Sequence, residues 1–338
     1  MEIVKLDRTT VDEQVRVYHT AFHKQEPIEE TKARWIKKHY ENPIEDSLVF
    51  GALEEGVLVG LNAYQPSCYT LNGKKIYLLQ SCESGVLPTH QGKGIWGKVV
   101  RYAVEYIERN TKYQGVIGFP NYKNSYPGFK KMGWKTLYEM NNMILVNNAN
   151  KFAQSLFAEK KILQILARVS VAQRLPVLLY SLFYKDVRVE ECDITDVEWN
   201  DDASVVSIDH SEDWCRWKAD YKQIHCLSLR RGDKVLANCL YDIGHYEGNN
   251  IIRIEYFSKK TGLSIGSIPF LSHFLRYLKV KHPDAAFVRV WTMNDTELNR
   301  NLRKLFFLKS SHPNPFIITE PNIYLAERDW SLSFFDLD

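Results

Sequence analysis

The chain has 338 residues and a mass of 39.5 kDa, with 45% apolar and 25% charged residues, which excludes disordered and fibrous architectures and suits about two domains. Its 44 basic and 41 acidic residues leave a formal charge of +3, too even and too scattered for a nucleic-acid surface. Six cysteines (Cys68, Cys82, Cys192, Cys215, Cys226 and Cys239) include no C-x-x-C pair, so neither a metal site nor a disulfide framework is expected. The charged N-terminal stretch is no secretory signal. The most apolar run, 175–184, is broken by Pro176 and far too short to span a bilayer. A cytoplasmic protein with no membrane span, no metal and no nucleic-acid partner is the expectation.

Ile3–Leu6 reads as a strand, and helices follow around 11–23 and 29–41, the second stopped by Asn42-Pro43. Three strand-like runs, 48–53, 57–70 and 74–87, are joined at Glu55-Gly56 and Asn72-Gly73, which predicts an antiparallel meander. A helix over 94–110, a buried strand at 115–119, a short helix near 127–132 and a strand over 134–146 complete the first half. Residues 150–185 hold no glycine and carry a helical pattern, as expected of a connector. The second half repeats the first weakly: Arg34-Trp35, Tyr40 and the strand loop 116–121 have counterparts in Arg216-Trp217, Tyr221 and 288–294, and Gly133-Trp134 in Phe306-Phe307. The preferred reading is an internal duplication.

The most informative stretch is Gln91-Gly92-Lys93-Gly94-Ile95-Trp96-Gly97-Lys98, where a strand ends and a helix begins. Such a loop gathers free backbone N–H groups and the positive end of a helix at one place, which suits a phosphate. Gly92-x-Gly94-x-x-Gly97 spells the dinucleotide fingerprint, but that needs a parallel βαβ unit and an acidic residue at the end of the next strand, where Gly118-Phe119-Pro120 stands. Gly92-x₄-Gly97-Lys98 approaches the nucleoside-triphosphate loop, but Val99 occupies the position whose hydroxyl must reach magnesium. Both are rejected.

The loop also fits Gln-x-x-Gly-x-Gly/Ala, and in this respect the chain resembles the GNAT acyltransferase superfamily. The likeness extends to the strand end at Val86–Pro88 and to the segment Asn121 to Trp134, and it covers about 1–148. Gly118-Phe-Pro-Asn-Tyr-Lys-Asn-Ser resembles members associated with polysaccharide biosynthesis. The resemblance implies an α/β (α+β) fold, a tandem GNAT-like arrangement with a mixed, mostly antiparallel sheet flanked by helices in each half and a degenerate second copy. It implies a coenzyme-A-binding domain at 1–148, a helical connector at 149–186 and a second domain at 187–338. Acetyl-coenzyme A would be held by Val86, Leu87, Gln91, Gly92, Lys93, Gly94, Ile95 and Trp96, with Asn121 and Asn124 on its pantetheine arm or capping the next helix. Two positions depart from the pattern: Trp96 replaces a small residue, and Phe129 stands where many members carry the tyrosine that protonates the leaving thiolate.

Acyl transfer to an amine needs a general base near the acceptor and an acid near the sulfur, each contributing about 10²–10⁴-fold, and a backbone N–H for the developing oxyanion, which the resemblance puts near Val86 and Leu87. Glu83 is the first candidate base, on the strand that leads to the loop, with solvent exposure or pairing to a lysine as the bland alternative. Tyr126 is the candidate acid, in place of Phe129. The acidic tail offers Asp336 or Asp338 as another base, by analogy with relatives whose C-terminal carboxylate reaches the first domain.

The leading function is therefore an N-acyltransferase that moves an acetyl group to a small-molecule amine, such as an amino sugar or sugar nucleotide. The alternatives are a catalytically impaired coenzyme-A-binding scaffold and a Fem-like aminoacyl transferase; the intact Gln91–Gly94 loop argues against the last. The acceptor is expected between the halves, near Trp214, Trp217, Tyr221 and Trp291, in a monomer or homodimer.

Overall fold

The turn residues set the strand ends in the computed structural model. Glu55-Gly56 holds φ of 54° and 83°, and Asn72-Gly73 holds 51° and 74°, the left-handed pairs that let a two-residue hairpin match strand twist. The first half runs β1 (Glu2–Leu6), α1 (Val11–Ala21), α2 (Ile28–Tyr40), β2 (Leu48–Glu54), β3 (Val57–Leu71), β4 (Lys74–Val86), α3 (Ile95–Asn110), β5 (Val116–Gly118), α4 (Tyr126–Lys131) and β6 (Lys135–Val146). Helices α5 (Ala149–Ser155) and α6 (Lys160–Ser181) follow. The remainder is β7 (Arg188–Glu191), β8 (Val206–Ile208), α7 (Glu212–Lys222), β9 (His225–Arg231), β10 (Lys234–Tyr246), β11 (Asn249–Lys259), α8 (Ser267–Lys281), β12 (Phe287–Thr292), α9 (Glu297–Lys304), β13 (Leu308–Lys309), β14 (Asn314–Thr319) and β15 (Trp330–Ser331). The structure describes residues 1–155, 160–184, 186–199, 202–260, 262–263, 266–293, 296–310, 313–319 and 324–337, without the side chains of 160–164 and 166–167. Asn294 and Asp338, both singled out in the sequence, lie outside the described residues.

Period-two alternation gives the first sheet two apolar faces. Phe50, Ala52 and Tyr64 pack under Val99, Val100, Ala103 and Ile107 of α3, while Val49, Leu58 and Leu61 pack against Val11, Val15 and Trp35 of α1 and α2. Strands β2, β3 and β4 are antiparallel as expected, and β5 joins β4 in parallel. The same order recurs in the second half: the meander β9-β10-β11, then α8, then β12 parallel to β11, then α9. Gly133 after α4 and Phe306 after α9 both hold positive φ, 87° and 58°.

The two halves share strands. The sheet order is β1-β2-β3-β4-β5-β14-β6-β12-β11-β10-β9-β7. Strand β14, late in the chain, lies between β5 and the first part of β6 (Lys135 to Met140). The second part of β6 (Asn141–Val146) pairs with β12. Each half's sheet is thus extended by a strand from the other. The side chains of Phe316, Ile317 and Ile318 on β14 are fully buried, and burying three such groups contributes about 5–9 kcal/mol, comparable to the whole stability of a typical domain. A chain ending at residue 148 is therefore expected to lose its cooperative thermal transition, checked by circular dichroism and calorimetry beside the full chain.

Candidate active site

The site begins where a ladder stops. Strands β4 and β5 pair at Leu79–Val116, Gln80–Ile117 and Ser81–Gly118. There β5 ends, while β4 runs on to Val86 along β3. The register of β3 on β4 shifts between Leu61 and Ala63, whose partners are Gly85 and Cys82, so Glu83 and Ser84 bulge outward. Glu83 holds φ of +39°, a left-handed conformation rare for a residue with a side chain. A cleft of about 800 Å³ opens between the diverging strands, walled by Cys82, Glu83, Val86, Gly118, Phe119 and Asn121 among others.

The glycine loop forms one end of this cleft. Gly92 and Gly94 hold φ of +76° and +71°, with open space where a Cβ would project. The first helical bond of α3 is Lys98 N to Gly94 O, so the amides of Ile95, Trp96 and Gly97 precede the ladder at the positive end of the helix. Gln91 is exposed and lines the cleft, and its Nε2 donates to Val86 O at 3.1 Å and fastens the loop to the end of β4. Leu87 N donates to Val59 O at 2.9 Å, so that amide is committed to β3. Lys93 is exposed. The Trp96 ring turns onto α4, edge-on to Phe129 at 4.9 Å, over Gly128, where a Cβ would come within 2.4 Å of the indole. The missing small residue of the loop is thereby matched by a glycine on the facing helix.

Glu83 gathers the charged groups. Its carboxylate pairs with the Lys38 ammonium and lies 3.3 Å from His39 Nε2. His39 is fully buried and its Nδ1 meets Ser47 Oγ at 3.0 Å. Burial pushes the Glu83 carboxyl upward, but Lys38 and His39 outweigh it and hold the group far below the usual carboxylate range. Glu83 also lines a second, smaller cavity of about 190 Å³ with Tyr18, Glu26, Arg34, Trp35, Lys38 and Tyr221. It stands on the wall between two openings. Lys38 and His39 were not singled out from the sequence. Their only signal is the basic run Lys37-Lys38-His39 in the last turn of α2, which helix-dipole compensation already explains.

Other expected site residues go elsewhere. Tyr126 does not line the cleft; its hydroxyl bonds Thr136 Oγ1 at 2.8 Å and its ring stacks on Tyr122. Asn121 and Asn124 both line the cleft. The turn before α4 is closed by Asn121, whose Oδ1 accepts from Lys123 N at 3.0 Å and Asn124 N at 3.2 Å, not by the Asn124 side chain. Asp336 is buried in the second half, 2.9 Å from His210 Nε2 and accepting from Ser333 N, and it lines neither the cleft nor the small cavity beside Glu83. Trp214 and Trp217 are core residues and Trp291 stacks on Phe334; of that aromatic group, Tyr221 alone lines the cavity beside Glu83.

Residues 2–137 match the Acetyltransferase (GNAT) domain family. Over 129 residues the chain is 30% identical to an uncharacterised N-acetyltransferase of Archaeoglobus fulgidus, covering 36% of this chain and 86% of the relative. Solved structures share the fold over nearly the whole length. A GCN5-related N-acetyltransferase of Anabaena variabilis aligns with a TM-score of 0.60 at 10% identity, over 95% of this chain and 73% of its own. Eis1 from Mycobacterium abscessus aligns with a TM-score of 0.56 at 12% identity, over 96% and 74%.

Two outcomes follow from this geometry. Replacing Glu83 with Gln leaves Lys38 inside without its partner and is expected to cost about 3–5 kcal/mol at neutral pH. Because the folded group titrates below its unfolded value, that contribution is complete above about pH 4.3 and fades as pH falls further; urea melts of both proteins from pH 3 to 8 check it. Gly128→Ala drives a methyl into Trp96 and is expected to cost about 1–3 kcal/mol, an effect that Trp96→Ala in the same chain should largely remove.

Proposed function

The chain belongs to the GNAT acetyltransferase family, and from that premise we propose that it is a coenzyme-A-dependent enzyme that moves an acetyl group onto the amine of a small molecule. The observation that carries this reading is the position of Glu83, on the shared wall of the large cleft and the small cavity. The thioester of acetyl-coenzyme A supplies the activated acyl group. The cleft fits such a ligand: glycines with open space above them and unpaired helical amides suit its pyrophosphate, and the β4 edge freed beyond Ser81 suits its amide-bearing arm. Of the residues expected to hold it, Val86, Gln91, Gly92, Gly94, Ile95, Trp96, Asn121 and Asn124 line the cleft.

The acceptor amine enters from the small cavity. Tyr18, Trp35 and Tyr221 offer aromatic walls there, and Glu26, Arg34 and Lys38 offer polar contacts, which favours an amino sugar or sugar nucleotide over a plain alkylamine. Glu83 stays ionised beside Lys38 and His39 and so draws in the ammonium form of the acceptor; it takes up the proton once the incoming amine displaces Lys38, the partner that holds its proton affinity down, with His39 and Ser47 behind it. Residues 1–148 hold the donor, 149–186 brace the sheet, and 187–338 close the acceptor side through Tyr221. The protein works in the cytoplasm.

A second reading, a coenzyme-A-binding protein without turnover, draws on the cleft's lack of a tyrosine: among the described lining residues none is Tyr, and Phe129 is buried in that place. Thiol release across a panel of amines separates the two. For the enzyme, Glu83→Gln is expected to lower kcat by about 10²–10⁴-fold and leave coenzyme A affinity nearly unchanged. Gly94→Asp, which sets a carboxylate at the mouth of the glycine loop, should abolish that affinity by calorimetry. Coenzyme A binding with no thiol release from any amine would establish the second reading.

A further inference from the structure

Helix α6 is built inside out. Its inward face carries Ser170, Gln173 and Ser181 with Val177, all buried. Gln173 is fully used: its Oε1 accepts from Val146 N at 2.8 Å and its Nε2 donates to Phe306 O at 2.8 Å. Ser170 Oγ reaches Val146 O at 3.4 Å. The helix is thus held to the end of β6 by polar bonds. Its outward stripe is the apolar one: Val171, Leu175, Leu178 and Leu179, continued by Leu182 and Phe183, each between 47% and 64% exposed. Ordinary amphipathic helices of globular proteins show the reverse. An exposed stripe of six large apolar side chains calls for a covering partner.

The charges around the stripe say which. Residues 160–184 contain no Asp or Glu, and residues 267–281, which form α8 beside it, contain none either. Arg168, Arg174 and Arg276 are exposed at the edge of the stripe, and among the described residues none of them pairs with a carboxylate. Between α6 and α8 lies a mostly apolar cavity of about 360 Å³, floored by Leu145, Val177 and Leu275 and edged by Arg174, Arg276 and Lys279. An apolar stripe rimmed by arginines with no carboxylate partner among the described residues matches a bilayer with anionic headgroups, the apolar side chains entering the acyl boundary and the arginines meeting phosphates. A second copy of the chain matches poorly, because a two-fold contact would bring these arginines against their own copies with no acid on either helix to neutralise them. Among the described residues no helix is long and apolar enough to cross a membrane, so α6 would lie in the interface plane.

We propose that the outward faces of α6 and α8 dock the protein on the surface of an anionic lipid bilayer. The test is flotation of the full chain with vesicles of phosphatidylcholine alone and of phosphatidylcholine with about a third phosphatidylglycerol. The protein is expected to float with the anionic vesicles only, and less so as salt is raised. Leu175→Glu with Leu179→Glu should weaken partitioning at least tenfold, by roughly the loss of two buried leucines. Arg168→Ala and Arg276→Ala should each weaken it about fivefold. These positions are exposed, so melting temperatures should not change; were the leucine variant to unfold, the arginine variants and the salt titration still decide. No flotation, or equal flotation with both vesicles, overturns the proposal. So does a wild-type dimer in sedimentation that Leu175→Glu splits while no vesicle is bound, which would make the face an interface between copies.

Discussion

Everything in the candidate site depends on β4 losing one neighbour while keeping the other. Up to Ser81 the strand is bonded on both sides, and from Cys82 to Val86 only β3 holds it. A free β edge in the middle of a sheet leaves polar groups that need a partner, and here it is open to the cleft rather than to bulk solvent. The bulge at Glu83 and Ser84 is the local cost of that divergence, and it falls on the wall of the cleft. Strain of this sort, φ of +39° on a glutamate, persists only where surrounding contacts over-determine it.

Those contacts come from α1 and α2. The Gln14 side chain is buried between them, and its Oε1 accepts from Trp35 Nε1 at 3.0 Å and Tyr40 Oη at 2.8 Å. With Thr31, Trp35 and His39 on one face of α2, the helix cannot rotate without breaking both bonds. That fixes His39 and Lys38 against Glu83. The second half adds a brace: Trp217 Nε1 donates to Lys37 O at 2.7 Å, and Lys37 meets Asp220 at 2.6 Å. Helix α7 therefore holds the same turn of α2 that carries the charged cluster, and Tyr221 beside it reaches the small cavity.

The linear order of elements in the first half was legible because local signals agree: Asn-Gly and Glu-Gly turns, β-branched runs and one glycine loop before an amphipathic helix. The cleft end was legible for the same reason, since Gln91 to Trp96 are contiguous. What stayed hidden is what contiguity cannot carry. The pairing of Glu83 with Lys38 and His39 spans about forty positions, and nothing local marks it. Tyr126 sits three residues from the position its proposed role requires, and i and i+3 share a helix face, which suggests substitution; yet Tyr126 opens α4 and its hydroxyl goes to Thr136, away from the cleft. The exchange of β14 and β6 between the sheets is likewise invisible, because a buried apolar run such as Phe316–Ile318 fits any sheet that lacks a strand.

The second half tests what the opening alone can do. Strands β11 and β12 diverge after Ile254 and Val290 much as β4 and β5 do, so the same opening forms. The chain's own tail occupies it. Phe335 N donates to Glu255 O at 2.9 Å, taking a backbone group of β11 beyond the last ladder pair. Lys222 holds the tail's carbonyls at Phe334 and Leu337 while its ammonium faces Glu255. Trp291 stacks on Phe334 across the gap, leaving a cavity of about 180 Å³. The two openings arise from the same strand geometry and differ in what the flanking residues do with it. One is fringed by glycines and helical amides and left clear; the other is fringed by Trp291 and Lys222 and filled. Divergence of strands makes room in both halves, and what the flanking residues place there decides whether that room stays open.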